Sequence, residues 1–90
     1  MVSDLIDCHI TNSWERITDP AAIEVWQAQA AEGEYELRVT RRRSGRHDVR
    51  VRRNRGSGLR QVFREEFDRE AEARRVRRNL LVQVVEGRPI

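Results

Sequence analysis

Between residues 34 and 65 apolar and polar side chains alternate almost one by one, and this two-residue period restricts the stretch to half-buried β-strands. Ser44-Gly45 and Gly56-Ser57-Gly58 divide it into the segments 34–42, 47–53 and 59–65. Because the turns between them are short, we expect an antiparallel meander of three strands. The positions expected to face the core are Tyr35, Leu37, Val39, Val49, Val51, Leu59, Gln61 and Phe63.

A helix is predicted after the third strand. Asp68 is the expected N-cap, and Glu70 and Glu72 in the first turn complement the helix dipole. Gly87 and Pro89 end the helical pattern. One face of this helix carries apolar side chains that can pack on the sheet: Ala73, Val76, Leu80 and Val84.

A second helix is predicted near the N-terminus, over residues 20–32. Asp19 has the chemistry of an N-cap, Pro20 suits the first helical position, and Gly33 suits the left-handed position after a helix. One face of this segment carries Ile23, Trp26 and Ala30. Before it, residues 4–11 alternate like a strand, and residues 14–18 form either a second short strand or one helical turn.

These elements predict a single α+β domain over residues 1–90. An acidic strand and helix segment, residues 1–33, precedes a basic unit of three strands and a helix, residues 34–90. The fold expected is therefore an antiparallel three-stranded meander packed against a C-terminal helix, preceded by an N-terminal strand or hairpin and a helix.

Charge is distributed unevenly along the chain. All 18 basic residues are arginine, which codon bias in a GC-rich genome would explain, but their placement needs another cause. Residues 1–37 hold eight acids against one arginine, a net charge of −7, whereas residues 38–64 hold eleven arginines against one acid, a net charge of +10. Either the acidic third neutralises these arginines within the fold or an anionic partner does.

The predicted meander displays arginines on its outward side and at both of its turns. The outward strand positions are Arg38, Arg42, Arg50, Arg52, Arg60 and Arg64, and the turns carry Arg41, Arg43, Arg46, Arg53 and Arg55. Guanidinium groups bind guanine edges and phosphates. Residues 38–62 contain no aromatic side chain on which a base could stack. The pattern therefore predicts a regulatory or accessory protein that binds duplex DNA, or structured RNA, through an arginine-rich sheet face.

Three strands followed by a helix form a pattern that covers residues 35–86. It is carried by YELRVTRRRSGRHDVRVRRNRGSGLRQVFREEFDREAEARRVRRNLL, and at the helix start by Phe67, Asp68, Glu70, Ala71, Glu72 and Ala73. This segment resembles the arm-type DNA-binding domains of phage integrases. The resemblance implies that the sheet enters the major groove and that the protein is a stand-alone phage- or plasmid-borne module. WGR domains have a similar rhythm, but Arg53-Asn54-Arg55 stands where they carry Trp-Gly-Arg.

The sequence offers little for catalysis. Cys8 and His9 are neighbours, so in a strand they point to opposite faces and cannot act as nucleophile and base. One cysteine and two histidines also lack the spacing of a metal site. We therefore expect no enzymatic activity, no cofactor and no metal.

A second class of function stays open. The chain would also suit a protein–protein interaction module, such as a small phage-encoded factor that docks on a host protein, with an exposed Trp14 as anchor. A homodimer formed between oppositely charged halves is a further alternative. The chain has no run of ~18 apolar residues and no basic, apolar start typical of a secretory signal, so a cytoplasmic location is expected.

Overall fold

The computed structural model describes residues 14–90 as one β-sheet followed by one helix. The elements are β1 (Trp14–Ile17), β2 (Glu24–Ala30), β3 (Gly33–Arg41), β4 (His47–Asn54), β5 (Leu59–Phe67) and α1 (Glu70–Val85). The α+β class is thus confirmed for this part of the chain. The predicted strand at residues 4–11, with Cys8 and His9, lies outside the described residues.

The sheet has five strands in the order β1-β2-β3-β4-β5, and every neighbouring pair is antiparallel. The three strands predicted from the alternating pattern are β3, β4 and β5, and β1 and β2 extend the same sheet on the β3 side. The sequence left either a strand or a helical turn open for residues 14–18, and the structure shows a strand there, β1.

α1 covers one side of the sheet, and the core lies between them. Alternate residues of β3 and β4 point toward the helix, as their two-residue period predicts. The buried core side chains are Ala28, Tyr35, Leu37, Val39, Val49, Val51, Ala73, Leu80 and Val84. The opposite side of the sheet, which we call the outer face, consequently receives the charged residues of the same strands.

Polar contacts fix the position of α1 on the sheet. In its first half, Arg77 donates hydrogen bonds to both carboxylate oxygens of Glu24 on β2, each at 2.8 Å. In its second half, the carbonyl of Leu81 accepts a hydrogen bond of 2.9 Å from the indole N–H of Trp14 on β1. Trp14 is half-buried by this contact, so the alternative of an exposed Trp14 anchor is wrong.

The predicted helix over residues 20–32 is wrong, because residues 24–30 form strand β2. Asp19 does accept the backbone N–H of Ala21, at 2.9 Å, but this bond closes a turn and does not start a helix. The Ala-rich composition of the segment favours helix only in isolation. Within the fold, β2 pairs along its whole length with β3, and this tertiary pairing overrides the local preference.

Gly33 does have a positive φ, of 133°, but it leads out of the tight β2–β3 turn instead of ending a helix. A Cβ placed on Gly33 would lie 2.5 Å from the carbonyl oxygen of Asn54. The position therefore needs glycine for two reasons, its backbone conformation and the close approach of another strand.

A bulge in β5 overturns part of the predicted inward and outward assignment. Val51 pairs with Phe63, but the next residue, Arg52, pairs with Gln61, so one residue of β5 is left over. From this point on, Gln61 lies on the outer face and Arg60 lies on the helix side, opposite Arg53. The predicted inward Leu59 and Gln61 and the predicted outward Arg60 are therefore wrong.

The predicted N-cap of the C-terminal helix is also wrong. α1 begins at Glu70, with Arg69 at the N-cap position and no side chain capping the first turn. Asp68 instead forms an ion pair with Arg46 in the β3–β4 turn, at 3.0 Å. The Asp68 carboxylate thus joins the start of α1 to the β3–β4 hairpin and accepts no hydrogen bond from the first N–H groups of the helix.

The Glu24–Arg77 pair gives a prediction for the pH dependence of stability. Burial acts to raise the pKa of the Glu24 carboxyl, but the hydrogen bonds from Arg77 and Trp26 outweigh it, so the pKa lies below its ordinary 4.5. A lowered folded-state pKa contributes stability above pH 4.5 and loses it as the pH falls through the lowered value.

Replacing Glu24 by glutamine is therefore expected to lower the free energy of unfolding by about 1–2 kcal/mol at pH 7. The difference from the unmodified protein should shrink as the pH falls from 4.5 through the lowered pKa, because the Glu24 carboxyl becomes neutral like the glutamine amide. Urea unfolding at pH 7 and pH 3 measures both values. The exposed pair Glu70–Arg74 provides the control, since Glu70→Gln should cost at most about 0.5 kcal/mol. Equal effects of the two substitutions would contradict the prediction.

Candidate nucleic-acid interface

Arginines of three strands lie side by side on the outer face. Arg38 on β3 pairs in register with Arg50 on β4, and Arg50 pairs with Arg64 on β5. The next row of the face brings Arg52 opposite Glu36. The predicted segregation of arginines to one side of the sheet is therefore observed for these four strand positions.

Glu36 and Asp19 neutralise one half of this surface. Glu36 forms ion pairs with both Arg38, at 3.3 Å, and Arg52. Asp19, in the turn before β2, contacts Arg38 at 2.7 Å. Burial acts to raise the pKa of Glu36, but the hydrogen bond and charge of Arg52, with Arg38 beside it, bring the net shift below the ordinary value.

Asp48 and Glu66 neutralise the other half. Asp48 on β4 is 7% exposed and contacts Arg64 at 3.3 Å and Arg42 at 3.9 Å. Glu66 on β5 lies 3.6 Å from both Arg42 and Arg64 and 4.0 Å from Arg46. The acids that cover the face thus come from β3, β4 and β5 themselves as well as from the acidic N-terminal third.

Ion pairing divides the eleven predicted arginines into two groups. Five have carboxylate partners: Arg38, Arg42, Arg46, Arg52 and Arg64. Within residues 14–90, the other six make no side-chain ion pair: Arg41, Arg43, Arg50, Arg53, Arg55 and Arg60. The described chain thus leaves the charge of the second group without a pairing carboxylate.

Three of these six arginines come together at the β4–β5 hairpin. Arg53 and Arg60 face each other across the two strands on the helix side, and Arg55 lies in the connecting loop. With Ser57 and Gly58 they line a surface depression of about 300 Å³, and no carboxylate of the described residues lines it. We call Arg53, Arg55 and Arg60 the hairpin arginine cluster.

Asn54 organises the loop that carries the cluster. Its side-chain oxygen accepts the backbone N–H of Gly56 at 2.8 Å and that of Gly58 at 3.4 Å. Gly56 and Gly58 both have positive φ, which allows the chain to turn back within four loop residues. The depression is therefore held in shape by the backbone and by one amide side chain before any ligand arrives.

Arg50 is the exception at the centre of the outer face. It lies between two arginines that have partners of their own, and its Nε atom is buried without a hydrogen-bond partner. The remaining unpaired candidates are Arg41, which ends β3 opposite His47, and Arg43 in the β3–β4 turn; both are exposed at the other end of β4 from the hairpin arginine cluster. The uncompensated arginines thus lie at both ends and in the middle of β4.

The predicted insertion of the sheet face into a major groove meets a problem of width. Five strands at about 4.8 Å spacing place the two outer strand axes about 19 Å apart. The major groove of B-DNA is roughly 12 Å wide. The three-stranded sheet predicted from the sequence would be narrower, whereas the observed face is too wide to lie flat in the groove.

His47 is buried at the start of β4 and is 8% exposed. Within residues 14–90, no three His, Cys, Asp or Glu side chains are placed to hold a metal ion. In the same part of the chain, no helix combines the length and the hydropathy needed to cross a bilayer.

No protein-family model, curated protein or solved structure matches the chain.

Proposed function

We propose that the protein binds duplex DNA and contacts the phosphate backbone through the hairpin arginine cluster. The observation that carries the proposal is the sorting of arginines by ion pairing. The arginines of the outer face are mostly matched by Glu36, Asp48 and Glu66, whereas the cluster has no carboxylate partner among residues 14–90.

Uncompensated arginines in one place favour an anionic ligand. Like charges at close range repel, and a phosphate between them replaces repulsion with charge-assisted hydrogen bonds. A polyanion also releases counterions when arginines bind it, which adds a favourable entropy that no small neutral ligand supplies. Arg53, Arg55 and Arg60 together bring three positive charges to the backbone, so they neutralise about three phosphates even where one phosphate contacts more than one guanidinium.

The shape of the sheet favours contact with the backbone over contact with bases. The whole outer face is too wide for the major groove, whereas the end of a two-stranded hairpin is narrow enough to enter it. The β4–β5 loop extends only four residues beyond the paired strands, so its arginines reach phosphates before they reach base edges. Phosphate contacts position a protein without reading sequence, and this suits an accessory role.

A duplex is favoured over a single strand because the aromatic side chains are occupied elsewhere. Trp14 and Trp26 pack against the core, as do Phe63 and Phe67, and Tyr35 is part of it. None of the residues that line the depression beside the hairpin arginine cluster is aromatic. Single-strand binders need such rings to stack the bases.

The test is fluorescence anisotropy with labelled duplex DNA, single-stranded DNA and duplex RNA across a salt series. We expect duplex DNA to bind with little dependence on its sequence. The logarithm of the association constant should fall against the logarithm of the salt concentration with a slope of about −2.7, for three phosphates neutralised by three positive charges. Absence of binding to all three nucleic acids at ~50 mM salt would refute the proposal and favour a protein partner.

A further inference from the structure

We infer that the depression beside the β4–β5 hairpin is a discrete site for one phosphate group, which in the proposed function is a phosphodiester of the DNA backbone. The inference rests on that function but is more specific, because it assigns one anion to one set of donors. Its donors are the guanidinium groups of Arg53, Arg55 and Arg60 and the hydroxyl of Ser57.

The donors come from three separate positions of the chain around one space. Arg53 on β4 pairs with Arg60 on β5, one pair before the end of the ladder, and Arg55 follows in the loop. The depression of about 300 Å³ has room for a hydrated phosphate, and the side chains that line it within the described residues are three guanidinium groups and one hydroxyl. Guanidinium groups match the oxygens of phosphate with paired, parallel hydrogen bonds.

The loop is ordered in advance, which lowers the entropy that binding must overcome. Asn54 Oδ1 holds the backbone N–H groups of Gly56 and Gly58. The carbonyl of Asn54 lies so close to Gly33 that the loop is also supported by the β2–β3 turn. Asn54 is therefore a positioning residue, since it shapes the depression without lining it.

The bulge in β5 creates this arrangement. Without the residue left over at the Val51–Arg52 step, the alternation of β5 would place Arg60 on the outer face, away from Arg53. With it, both side chains start on the same side of the hairpin. A bulge that re-aims one side chain is a recurrent device at functional sites in sheets, and here it brings two like charges together.

The experiment titrates the full-length protein with inorganic phosphate at constant ionic strength, with chloride as the balancing anion, and follows it by NMR. The arginine Nε–H signals of the cluster and the backbone signals of Ser57 and Gly58 should shift along saturating curves with one shared dissociation constant. The signals of Arg75 and Arg78, exposed on α1 without an ion pair in the described chain, should not follow that curve. Shifts that are linear and spread over all arginines would overturn the inference.

Two substitutions sharpen the result, and the dispersion of the amide spectrum reports that each variant is folded. Arg60→Gln is expected to weaken phosphate binding at least tenfold, whereas Arg78→Gln should leave it unchanged. Asn54→Ala keeps all three cations and is expected to weaken binding several-fold, together with loss of the separate Gly56 and Gly58 signals typical of an ordered loop. Unchanged affinity in either Arg60→Gln or Asn54→Ala would overturn the inference.

The outcome is distinguishable from that of the proposed function. Duplex binding without saturating phosphate shifts would overturn the phosphate site and leave DNA binding in place. Saturating phosphate shifts without duplex binding would support the site and refute the proposed function.

Discussion

Replacing both Arg55 and Arg60 by glutamate is expected to weaken duplex-DNA binding by at least about 100-fold near physiological salt. Each substitution removes one charge-assisted hydrogen bond to phosphate and introduces a like charge beside the backbone. A hydrogen bond to a charged group contributes about 1.5–3 kcal/mol, and every 1.4 kcal/mol is a factor of about ten in affinity. Both side chains are exposed, so the variant should fold normally.

The salt dependence separates a local effect from a general one. The loss of two positive charges that neutralise phosphates should reduce the steepness of the salt dependence by about 1.8, from a slope near −2.7 to one near −0.9. Fluorescence anisotropy across the same salt series measures both the affinity and the slope. A large loss of affinity with an unchanged slope would mean that the two arginines do not contact phosphates.

The matched control is the double substitution of Arg75 and Arg78 on α1 by glutamate. Both residues are exposed and make no ion pair within residues 14–90. This variant lowers the formal net charge of +3 by the same four units, so any effect of overall charge is identical. If the two double variants weaken binding equally, the protein attracts DNA through its net charge alone and the hairpin arginine cluster is not the site.

The strands of the basic half could be predicted because their signal is local. Alternation of Tyr35, Leu37 and Val39 with charged residues specifies one buried face whatever lies on the other side of the chain. The same holds for the apolar stripe of the C-terminal helix, which the structure places over residues 70–85. The sequence of each of these segments shows which of its side chains are buried, so its conformation can be predicted without knowing which elements pack against it.

β2 could not be predicted in this way because its conformation depends on its neighbours. Its sequence, EVWQAQA, is compatible with helix and strand, and Asp19 and Pro20 mark the start of either a helix or a turn. Pairing with β1 and β3 decides the outcome, since Ala28 is buried opposite Tyr35 and Trp26 lies opposite Leu37. Pairing with neighbouring strands leaves no pattern within the sequence of β2 itself.

The candidate site was only half predictable for a similar reason. The sequence places arginines on alternate positions, but it does not say which carboxylate each will meet. Asp48 meets Arg64 because β4 and β5 pair in one register, and a bulge further along the same pair moves Arg60 to the other side. Register and bulge together decide which arginines are neutralised and which stay free.

The second large effect is expected at Gly33, where alanine should lower the free energy of unfolding by about 2–4 kcal/mol. The backbone at Gly33 has φ of 133°, which side chains other than hydrogen rarely adopt. The added Cβ would also lie 2.5 Å from the carbonyl oxygen of Asn54, a contact with backbone that no rotamer change relieves. For a domain of this size the loss corresponds to a fall in melting temperature of about 10–25 °C.

Gly45 provides the matched control, because alanine there causes only the strain of a positive φ and no steric clash. Its φ is 89°, and no atom lies within 4 Å of the position that a Cβ would occupy. Gly45→Ala is therefore expected to cost about 1 kcal/mol, the strain of a positive φ by itself. Thermal unfolding followed by circular dichroism gives both values. Similar losses at the two glycines would mean that the close approach of the Asn54 carbonyl to the added Cβ does not contribute to the loss of stability at Gly33.

The effect of Gly33→Ala should extend beyond stability because Gly33 supports the loop of the hairpin arginine cluster. Relief of the clash requires the Asn54 carbonyl to move, and the same residue holds the backbone N–H groups of Gly56 and Gly58 through its side chain. At a temperature where the variant is still folded, its phosphate and duplex affinities should therefore fall several-fold, although no arginine has been changed. Gly45→Ala lies in the other hairpin and should leave both affinities unaltered. Full affinity in the folded Gly33→Ala protein would show that the β2–β3 turn does not shape the site.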